Sequence, residues 1–160
     1  MIHKMERETW DQVINVNLTG VYLTLQAVGR QMIEQSKGDD AAVCNGQIVN
    51  VSSIAGTAGT IGQINYGAAK AGVLGITMSA AKEWARYGIC VNSVAFGTVV
   101  TPMTEVVRGP KFAQQTLARI PLGRYGDTAD VAPTVLFLMM PGSSYITGKN
   151  VSIDGGVTAM

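Results

Sequence analysis

The feature that most constrains the fold is a series of short, β-branched apolar runs separated by longer helical segments. The runs are QIVNVS (47–52), ICVNSVA (89–95) and NVSID (150–154), and each has the composition of a buried strand. Together with the helical segments they give the element order α-β-α-β-α-α-β. This order predicts an α/β protein with a parallel sheet covered by helices.

The two longest helical segments precede and follow the first strand. Apolar residues recur at spacings of three and four over residues 10–34, which predicts an amphipathic helix, and Thr9 with Gln12 has the pattern of a capping box at its start. One polar residue, Asn17, falls within the apolar stripe, so its amide needs hydrogen-bond partners if the stripe is buried. The second helix is predicted over 66–86, and small residues in its first turns permit close helix contact.

Two further helices are predicted nearer the end of the chain. The first is short and covers 111–119. The second begins with Asp127 or Thr128 as its cap and ends near Met140. Pro133 is tolerable in that helix only if it lies near the first turn.

Two connecting segments have compositions typical of loops. One is polar and includes residues 38–40 (GDD), and the other is the Gly-rich GTAGTIG (56–62). The Gly-rich segment lies between a strand and a helix, as phosphate-binding loops do, but its glycines fall at intervals of three and do not match G-x-G-x-x-G. We therefore expect a flexible connector beside the substrate rather than a phosphate site.

The composition argues against several classes of protein. Basic and acidic residues number 12 and 11 and are spread along the chain, which does not favour nucleic acid or an anionic membrane as a partner. Cys44 and Cys90 are far apart and accompanied by one histidine, His3, so neither a disulfide framework nor a zinc site is indicated. No apolar stretch has the length of a membrane span or a signal-peptide core, and we expect one cytoplasmic domain over 1–160.

Tyr66 and Lys70 are the first candidates for a catalytic pair. They are four positions apart within a predicted helix, so their side chains share a face and the ammonium can lie beside the phenol. A unit charge about 4 Å away, at an effective dielectric near 20, favours the phenolate by roughly 4 kcal/mol. Such a pair can act as a general acid-base, although the bare spacing also occurs by chance.

Ser52 and Ser53 give this pair its context. They end the first predicted strand, and the Gly-rich loop leads from them to the helix of Tyr66. In parallel α/β sheets, ligands bind outside the carboxyl ends of the strands, where the serines and the tyrosine helix would meet. The sequence therefore predicts a site at this edge of the sheet.

Five segments resemble the successive motifs of the short-chain dehydrogenase/reductase family and, within it, of the bacterial 3-oxoacyl-acyl-carrier-protein reductases. They occur in the order and at the spacings of the family over nearly the whole chain. The segments are VNLTG (16–20), NVSSIAG (50–56), YGAAK (66–70), VNSVAFGTVVTPM (91–103) and YITGKNVSIDGG (145–156). The resemblance implies a doubly wound, parallel-sheet Rossmann fold, of which this chain is the C-terminal part.

By this resemblance, Asn17, Ser53, Tyr66 and Lys70 match the catalytic tetrad of the family. Tyr66 is expected to exchange a proton with the substrate oxygen, and Ser53, rather than Ser52, is expected to hydrogen-bond that oxygen. Lys70 is expected to stabilise the phenolate and to hold the nicotinamide ribose, so that Tyr66 and Lys70 also belong to the cofactor site. Asn17 is expected to hold a water that links Lys70 to solvent.

Gly97, Val99 and Thr101 match the family segment that contacts the nicotinamide carboxamide. The implied cofactor is NADP or NAD, and NADP is favoured by the resemblance alone. The family usually has proline before the glycine of this segment, whereas this chain has Phe96. The Gly-rich turn that opens the family fold and the segment that distinguishes NADH from NADPH have no counterpart here, so we expect the isolated chain to bind the cofactor weakly.

Two functions are compatible with these observations. The first is an NAD(P)-dependent oxidoreductase that interconverts a ketone and a secondary alcohol, with a 3-oxoacyl thioester as the expected substrate. The second is a catalytically inactive oligomerisation module, because in the family the two long helices and the C-terminal strand pack between subunits. Both predict a homo-oligomer, a dimer or a tetramer, with neither a nucleic acid nor a membrane as partner. The sequence also fits a part of a longer product.

Overall fold

The fold is a parallel sheet with helices packed against it. The structure is a computed structural model that describes residues 1–37 and 44–159, and residues 38–40 of the predicted polar loop lie outside these ranges. Its strands are β1 (Gly46–Ser53), β2 (Ile89–Phe96) and β3 (Asn150–Ile153). They pair in the order β1-β2-β3 and are parallel throughout. The predicted class is confirmed, and each strand agrees with its prediction to within one residue at either end.

The helix predicted over 10–34 is a longer helical segment in three parts. α1 covers Arg7–Ile14, a π-helical turn covers Asn15–Thr19, and α2 covers Gly20–Ser36. The amide of Gly20 donates to the carbonyl of Asn15, five residues earlier, which is the hydrogen bond of a π turn. The backbone remains helical throughout, so one extended helical segment is confirmed.

The capping box predicted at Thr9 and Gln12 is wrong. The helix begins two residues before Thr9, and its N-cap, Glu6, makes no side-chain hydrogen bond to the first turn. The additional turn is supported by an ion pair one turn apart, in which Arg7 Nε lies 2.8 Å from a carboxylate oxygen of Asp11. Thr9 is therefore already inside the helix and cannot serve as its cap.

The second long helix, α3, covers Ile64–Trp84 and continues as a 3-10 turn at Ala85–Tyr87. The helix predicted over 66–86 is thus confirmed, with two additional residues at its start. Together α2 and α3 cover one face of the sheet, where apolar side chains from the helices and from β2 form the core. These residues are Leu25, Ala80, Ala81, Ile89 and Val91.

The α1–α2 segment and α3 lie side by side and run in the same direction. Three contacts along their length define this alignment, one near each end and one between them. The contacts join Thr9 to Asn65, Leu18 to Gly72 and Gly29 to Trp84. Because the partners advance together along both segments, the π turn lies beside the part of α3 that carries Lys70.

Three shorter helices lie between β2 and β3 along the chain. They are α4 (Glu105–Arg108), α5 (Ala113–Leu117) and α6 (Thr128–Leu138). The helix predicted over 111–119 corresponds to α5, whereas α4 was not predicted. Asp127 caps α6 as predicted: its carboxylate accepts from the amide of Ala129, and its own amide donates to the carboxylate of Asp130.

Pro133 lies in the second turn of α6, so the expectation that it would lie near the first turn is wrong. Proline has no amide hydrogen, and the carbonyl of Ala129 loses its helical partner. The start of α6 is held by its capping box and by an ion pair. Asp130, besides completing the capping box, accepts two hydrogen bonds from the Arg124 guanidinium at 2.6 and 2.9 Å.

Two of the sequence-based exclusions concern membranes and metals. Among residues 1–37 and 44–159, no helix is long and apolar enough to cross a bilayer. The same residues contain no group of three or more His, Cys, Asp or Glu side chains that could hold a metal ion. Cys44 and Cys90 are free thiols, and Cys90 is buried.

Candidate active site

The carboxyl end of β1 lies directly against the first turns of α3. A 3-10 turn, Ile54–Gly56, follows β1, and Ala55 within it is buried. A Cβ atom on Gly56 would lie 2.6 Å from backbone atoms of Lys70 and Ala71, so only glycine permits this approach. The strand end with the two serines and the helix of the tyrosine therefore meet, as the sequence predicts.

The two serines at the end of β1 have different surroundings. Ser52 is 2% exposed, and its hydroxyl donates to the backbone carbonyl of Lys70 at 2.8 Å. Ser53 is partly exposed, and its hydroxyl oxygen accepts a hydrogen bond from the amide of Ala55 at 3.2 Å. The Ser53 hydroxyl thus keeps its own hydrogen for another acceptor, whereas that of Ser52 is used within the fold. The choice of Ser53 over Ser52 as a substrate contact stays a prediction.

Tyr66 and Lys70 lie one turn apart on α3, and the Lys70 ammonium is 5.5 Å from the centroid of the Tyr66 ring. Lys70 is 9% exposed, and its Nζ donates to the carbonyl of Val51 at 3.1 Å. Burial lowers the pKa of Lys70 below the ordinary value for lysine. In the described part of the chain no carboxylate forms an ion pair with this ammonium. The charge of Lys70 is therefore left without a counter-ion among the described residues.

Asn17 lies in the π turn between α1 and α2. Its side-chain amide donates to the carbonyl of Val13 at 3.2 Å, which accounts for a polar residue within the apolar stripe. The next residue, Leu18, packs against Gly72 of α3. The turn that carries Asn17 is thereby placed alongside the helix that carries Lys70. Single π turns of this kind are frequent at functional sites.

The loop that follows β2 begins beside the serine end of β1, because Phe96 and Ser53 are partners in the register. The amide of Gly97 donates to the carbonyl of Ile153 at 3.0 Å. A Cβ atom on Gly97 would lie 2.7 Å from the Cα of Asp154, so this position also requires glycine. With phenylalanine rather than proline at position 96, the last residue of β2 retains its amide hydrogen.

Val99 and Thr101 hold the same loop at two points. Val99 is buried and forms a parallel bridge with Gly126. Thr101 begins the 3-10 turn Pro102–Thr104 and takes part in a capping box with Thr104. The three residues predicted to contact the carboxamide, with Gly97 as the first, therefore lie on one braced loop at the carboxyl end of β2.

The role of Arg108 and Thr104 in this loop was not predicted. The Arg108 guanidinium donates to the hydroxyl of Thr104 and to the carbonyl of Thr101, each at 3.1 Å. The Thr104 hydroxyl also contacts the carbonyls of Val99 and Thr101. Two threonines three positions apart before a helix form a capping pattern that could have been recognised, but nothing in the sequence marks Arg108.

A cavity of about 220 Å³ lies behind the loop, with Thr98 and Asp154 in its wall, and none of the four tetrad candidates lines it.

Burial by itself would raise the pKa of Asp154. The hydroxyl of Thr158 and the amides of Gly156, Val157 and Thr158 donate to its carboxylate, and these bonds lower the pKa overall. Asp154 is therefore an ionised anchor of the turn after β3.

The chain matches known proteins along almost its whole length. A family model described as enoyl-(acyl carrier protein) reductase covers residues 1–158. Over 158 residues the chain is 49% identical to the 3-oxoacyl-[acyl-carrier-protein] reductase FabG of Thermotoga maritima. The chain belongs to the short-chain dehydrogenase/reductase family.

Other members of the short-chain dehydrogenase/reductase family resemble the chain in sequence and in structure. It is 44% identical over 153 residues to the human (3R)-3-hydroxyacyl-CoA dehydrogenase. It superposes with a TM-score of 0.90, at 34% identity, on an Agrobacterium tumefaciens protein assigned as a 2-deoxy-D-gluconate 3-dehydrogenase, whose crystal structure contains NADP. These matches cover 96% to 98% of this chain but 60%, 56% and 61% of the Thermotoga, human and Agrobacterium proteins. The chain thus spans little more than half the length of each.

The described residues fit the nicotinamide end of a dinucleotide. The close approach of Gly97 to Asp154 leaves the start of the loop without a side chain, and the buried Lys70 ammonium donates to Val51 on the neighbouring strand β1. Residues 57–62 of the Gly-rich loop are exposed on the surface, and the role of this loop as a connector stays a prediction.

Proposed function

We propose that this chain is the catalytic part of an NAD(P)-dependent oxidoreductase that interconverts a ketone and a secondary alcohol. The observation that carries the proposal is the buried Lys70 ammonium beside the Tyr66 ring, at the carboxyl end of β1. A cation held out of water next to a phenol favours the phenolate, which is what a general acid-base at this position requires. Membership of the short-chain dehydrogenase/reductase family supports the same chemistry.

Each tetrad candidate has a defined part in the proposed reaction. When bound, the nicotinamide cofactor supplies or accepts the hydride at the substrate carbon. In the reducing direction Tyr66 gives its phenolic proton to the carbonyl oxygen, and Ser53 donates a hydrogen bond to that oxygen. Lys70 stabilises the phenolate that remains, and Asn17 holds a water through which the phenol recovers its proton. The reverse sequence oxidises the alcohol.

The loop after β2 is proposed to receive the nicotinamide. Gly97, Val99 and Thr101 would contact its carboxamide, and Lys70 with Tyr66 would hold the ribose. NADP is the favoured cofactor, because the Agrobacterium neighbour was crystallised with it. The pyrophosphate is most strongly held in such proteins by a Gly-rich turn and a helix N-terminus, so the 160-residue chain is expected to bind the dinucleotide weakly.

The proposed substrate is a 3-oxoacyl thioester. The curated relatives with 44% to 49% identity carry names of enzymes for 3-oxoacyl or 3-hydroxyacyl thioesters, whereas the gluconate-type dehydrogenases among the solved structures are 29% to 34% identical. A sugar acid is therefore the weaker candidate. Fatty acid metabolism in the cytoplasm is the setting that this substrate class suggests.

A second candidate function is that of an inactive oligomerisation module. Several large apolar side chains on the α1–α2 segment and on α3 are exposed, as expected for surfaces that pair with another copy. They are Val16, Tyr22, Leu23, Val28 and Met78. β1 also pairs with a strand on one side only among the described residues, and its Val51 is 48% exposed. A homodimer or homotetramer is proposed under either function.

One experiment separates the two functions. The purified chain is mixed with a short 3-oxoacyl-CoA and saturating NADPH, then with NADH, and loss of the reduced nicotinamide is followed by absorbance. Turnover that disappears in Tyr66→Phe supports the oxidoreductase. Light scattering on the same sample gives the oligomeric state. An oligomer without turnover at any cofactor concentration would favour the inactive module.

A further inference from the structure

The side chain of Asn65 joins the start of α3 to the start of α1. It is 5% exposed and immediately precedes Tyr66. Its Nδ2 donates to the carbonyl of Thr9 at 3.1 Å, and its Oδ1 accepts from the amide of Tyr66 at 2.9 Å. Both ends of this buried amide are therefore used, one on each of two helices.

The bond to Tyr66 supplies a partner that the helix itself lacks. The first four amides of a helix have no carbonyl one turn before them, and Tyr66 is the third residue of α3. Gln63, the N-cap residue, makes no side-chain hydrogen bond to the first turn. Asn65 satisfies the Tyr66 amide from within the helix, and so fixes the backbone from which the phenol projects.

The hydrogen bond from Asn65 to Thr9 also positions α1 relative to α3. Thr9 lies in the first turn of α1, and Asn17 lies eight residues further along the same helical segment, at a distance of about 12 Å. The contacts of Leu18 with Gly72 and of Trp84 with Gly29, which also join the α1–α2 segment to α3, are apolar. Apolar contacts permit sliding, whereas a hydrogen bond has a required distance and direction.

We infer that Asn65 is a positioning residue for Tyr66, and that its two hydrogen bonds set the phenol relative to Asn17 on the neighbouring helix. This inference rests on the proposed function, because it concerns the placement of two tetrad candidates. Asn65 itself touches neither reacting atom in this account. It acts through the main chain of Tyr66 and through the alignment of α1 with α3.

The chain offers a matched control in Asn92. This residue is also a buried asparagine that uses both ends of its amide on the main chain. Its Nδ2 donates to the carbonyl of Ile146 at 2.7 Å, and its Oδ1 accepts from the amide of Lys149 at 3.1 Å. Asn92→Ala therefore removes the same groups and creates a similar cavity without touching either helix.

The first measurement needs no turnover. Isotope-labelled full chain is studied by NMR as wild type, Asn65→Ala, Asn65→Asp and Asn92→Ala. Asn65→Ala should raise hydrogen exchange at the Tyr66 amide at least about tenfold and shift the resonances of the Tyr66 ring and of the Asn17 side chain. Asn65→Asp keeps the oxygen that accepts from the Tyr66 amide, so that amide should stay protected from hydrogen exchange. The Asn17 resonances should still shift, since the donor to the Thr9 carbonyl is lost. Asn92→Ala should change neither the exchange of the Tyr66 amide nor the Tyr66 and Asn17 resonances.

The second measurement uses turnover with NADPH and a 3-oxoacyl-CoA. Asn65→Ala should lower kcat by about ten- to a hundredfold, as a misplaced general acid does, with little change in KM and with a shifted pH profile of kcat. Asn92→Ala should lose comparable thermal stability while kcat stays within about twofold of wild type. If Asn65→Ala is too unstable to assay, Asn65→Asp, which has nearly the same shape, is used in both measurements.

The outcomes separate this inference from the proposed function. A wild-type chain with no turnover, but with the expected NMR shifts in the Asn65 variants alone, removes the proposed function and supports the positioning role. Unmoved Tyr66 and Asn17 resonances in both Asn65 variants would overturn the inference. So would kcat losses that are equal in Asn65→Ala and Asn92→Ala, because they would reflect stability only.

Discussion

The Lys70 ammonium lies 5.5 Å from the centroid of the Tyr66 ring while it donates a hydrogen bond to the main chain near the carboxyl end of strand β1. The carbonyl that accepts this bond belongs to Val51, and the hydroxyl of Ser52 returns a bond to the Lys70 backbone. The lysine is thus fixed from the strand as well as from its own helix. A phenolate formed at Tyr66 would find its counter-charge already in place, without reorganisation of the site.

Tyr66→Phe should reduce turnover by about 10² to 10⁴, the range assigned to a positioned proton donor, in steady-state assays with NADPH. The melting temperature should stay within a degree or so of wild type, because the phenolic oxygen makes no hydrogen bond within the described residues. Tyr145→Phe alters a fully exposed tyrosine and provides the control. Full activity in Tyr66→Phe would remove this residue from the mechanism.

Lys70→Met should abolish turnover at least as thoroughly as Tyr66→Phe and should also stabilise the fold. A buried ammonium with a lowered pKa destabilises the folded state at neutral pH, so its removal should raise the melting temperature. Between the lowered folded pKa and the unfolded value near 10.4, the unfolded chain binds more protons and wild-type stability rises with pH.

The difference in melting temperature between Lys70→Met and wild type should therefore narrow as pH approaches 10. Thermal melts from neutral to alkaline pH measure it, with Lys82→Met, on the exposed side of the same helix, as the control. A variant less stable than wild type at neutral pH would mean that the bond to Val51 outweighs the burial of the charge.

Ser52→Ala and Ser53→Ala should have opposite effects on stability and activity. Loss of the buried Ser52 hydroxyl removes its bond to Lys70 and should cost about 1 kcal/mol of unfolding free energy, with a smaller effect on turnover. Loss of the Ser53 hydroxyl should leave the melting temperature nearly unchanged and lower kcat. Denaturant melts of the two variants give the unfolding free energy, and initial rates give kcat. The reverse pattern would show that the serine assignment is off by one.

Asp154 should make the fold sensitive to acid. Its pKa is lowered in the folded state, so its contribution to stability is present above the unfolded value near 3.9 and is lost as pH falls through the folded value. Melts of Asp154→Asn should show a lower stability at neutral pH and a shallower decline below about pH 4 than wild type. Glu83→Gln, at an exposed position, is the control. Parallel acid curves for Asp154→Asn and wild type would contradict the prediction.

The strands and long helices could be predicted because they depend on local pattern. β1, β2 and β3 are short β-branched runs whose ends are marked by loop residues, and small residues mark the first turns of α3. The π turn at Asn15–Thr19 could not be predicted, because one additional residue in a turn leaves an apolar stripe almost unchanged. The capping box at Thr9 failed because α1 begins at Arg7, so that Thr9 lies within its first turn.

The parts of the site that could not be predicted depend on contacts between distant residues. Asn65 and its partner Thr9 are 56 positions apart, and no periodicity links them. Arg108 reaches back seven positions to a loop carbonyl, a contact that depends on the conformation of the loop itself. The choice of Ser53 over Ser52 rests on alternation along a strand and stays a prediction, although Ser52 is the buried one of the two.

The contact between Gly97 and the main chain of Asp154 restricts how this protein can be engineered. A fusion partner, an affinity tag or a labelling site introduced into 154–159 would displace the turn that Asp154 organises. Because Gly97 lies directly against the main chain of Asp154, with no side chain between them, a shift of that turn would also move the loop proposed to hold the nicotinamide.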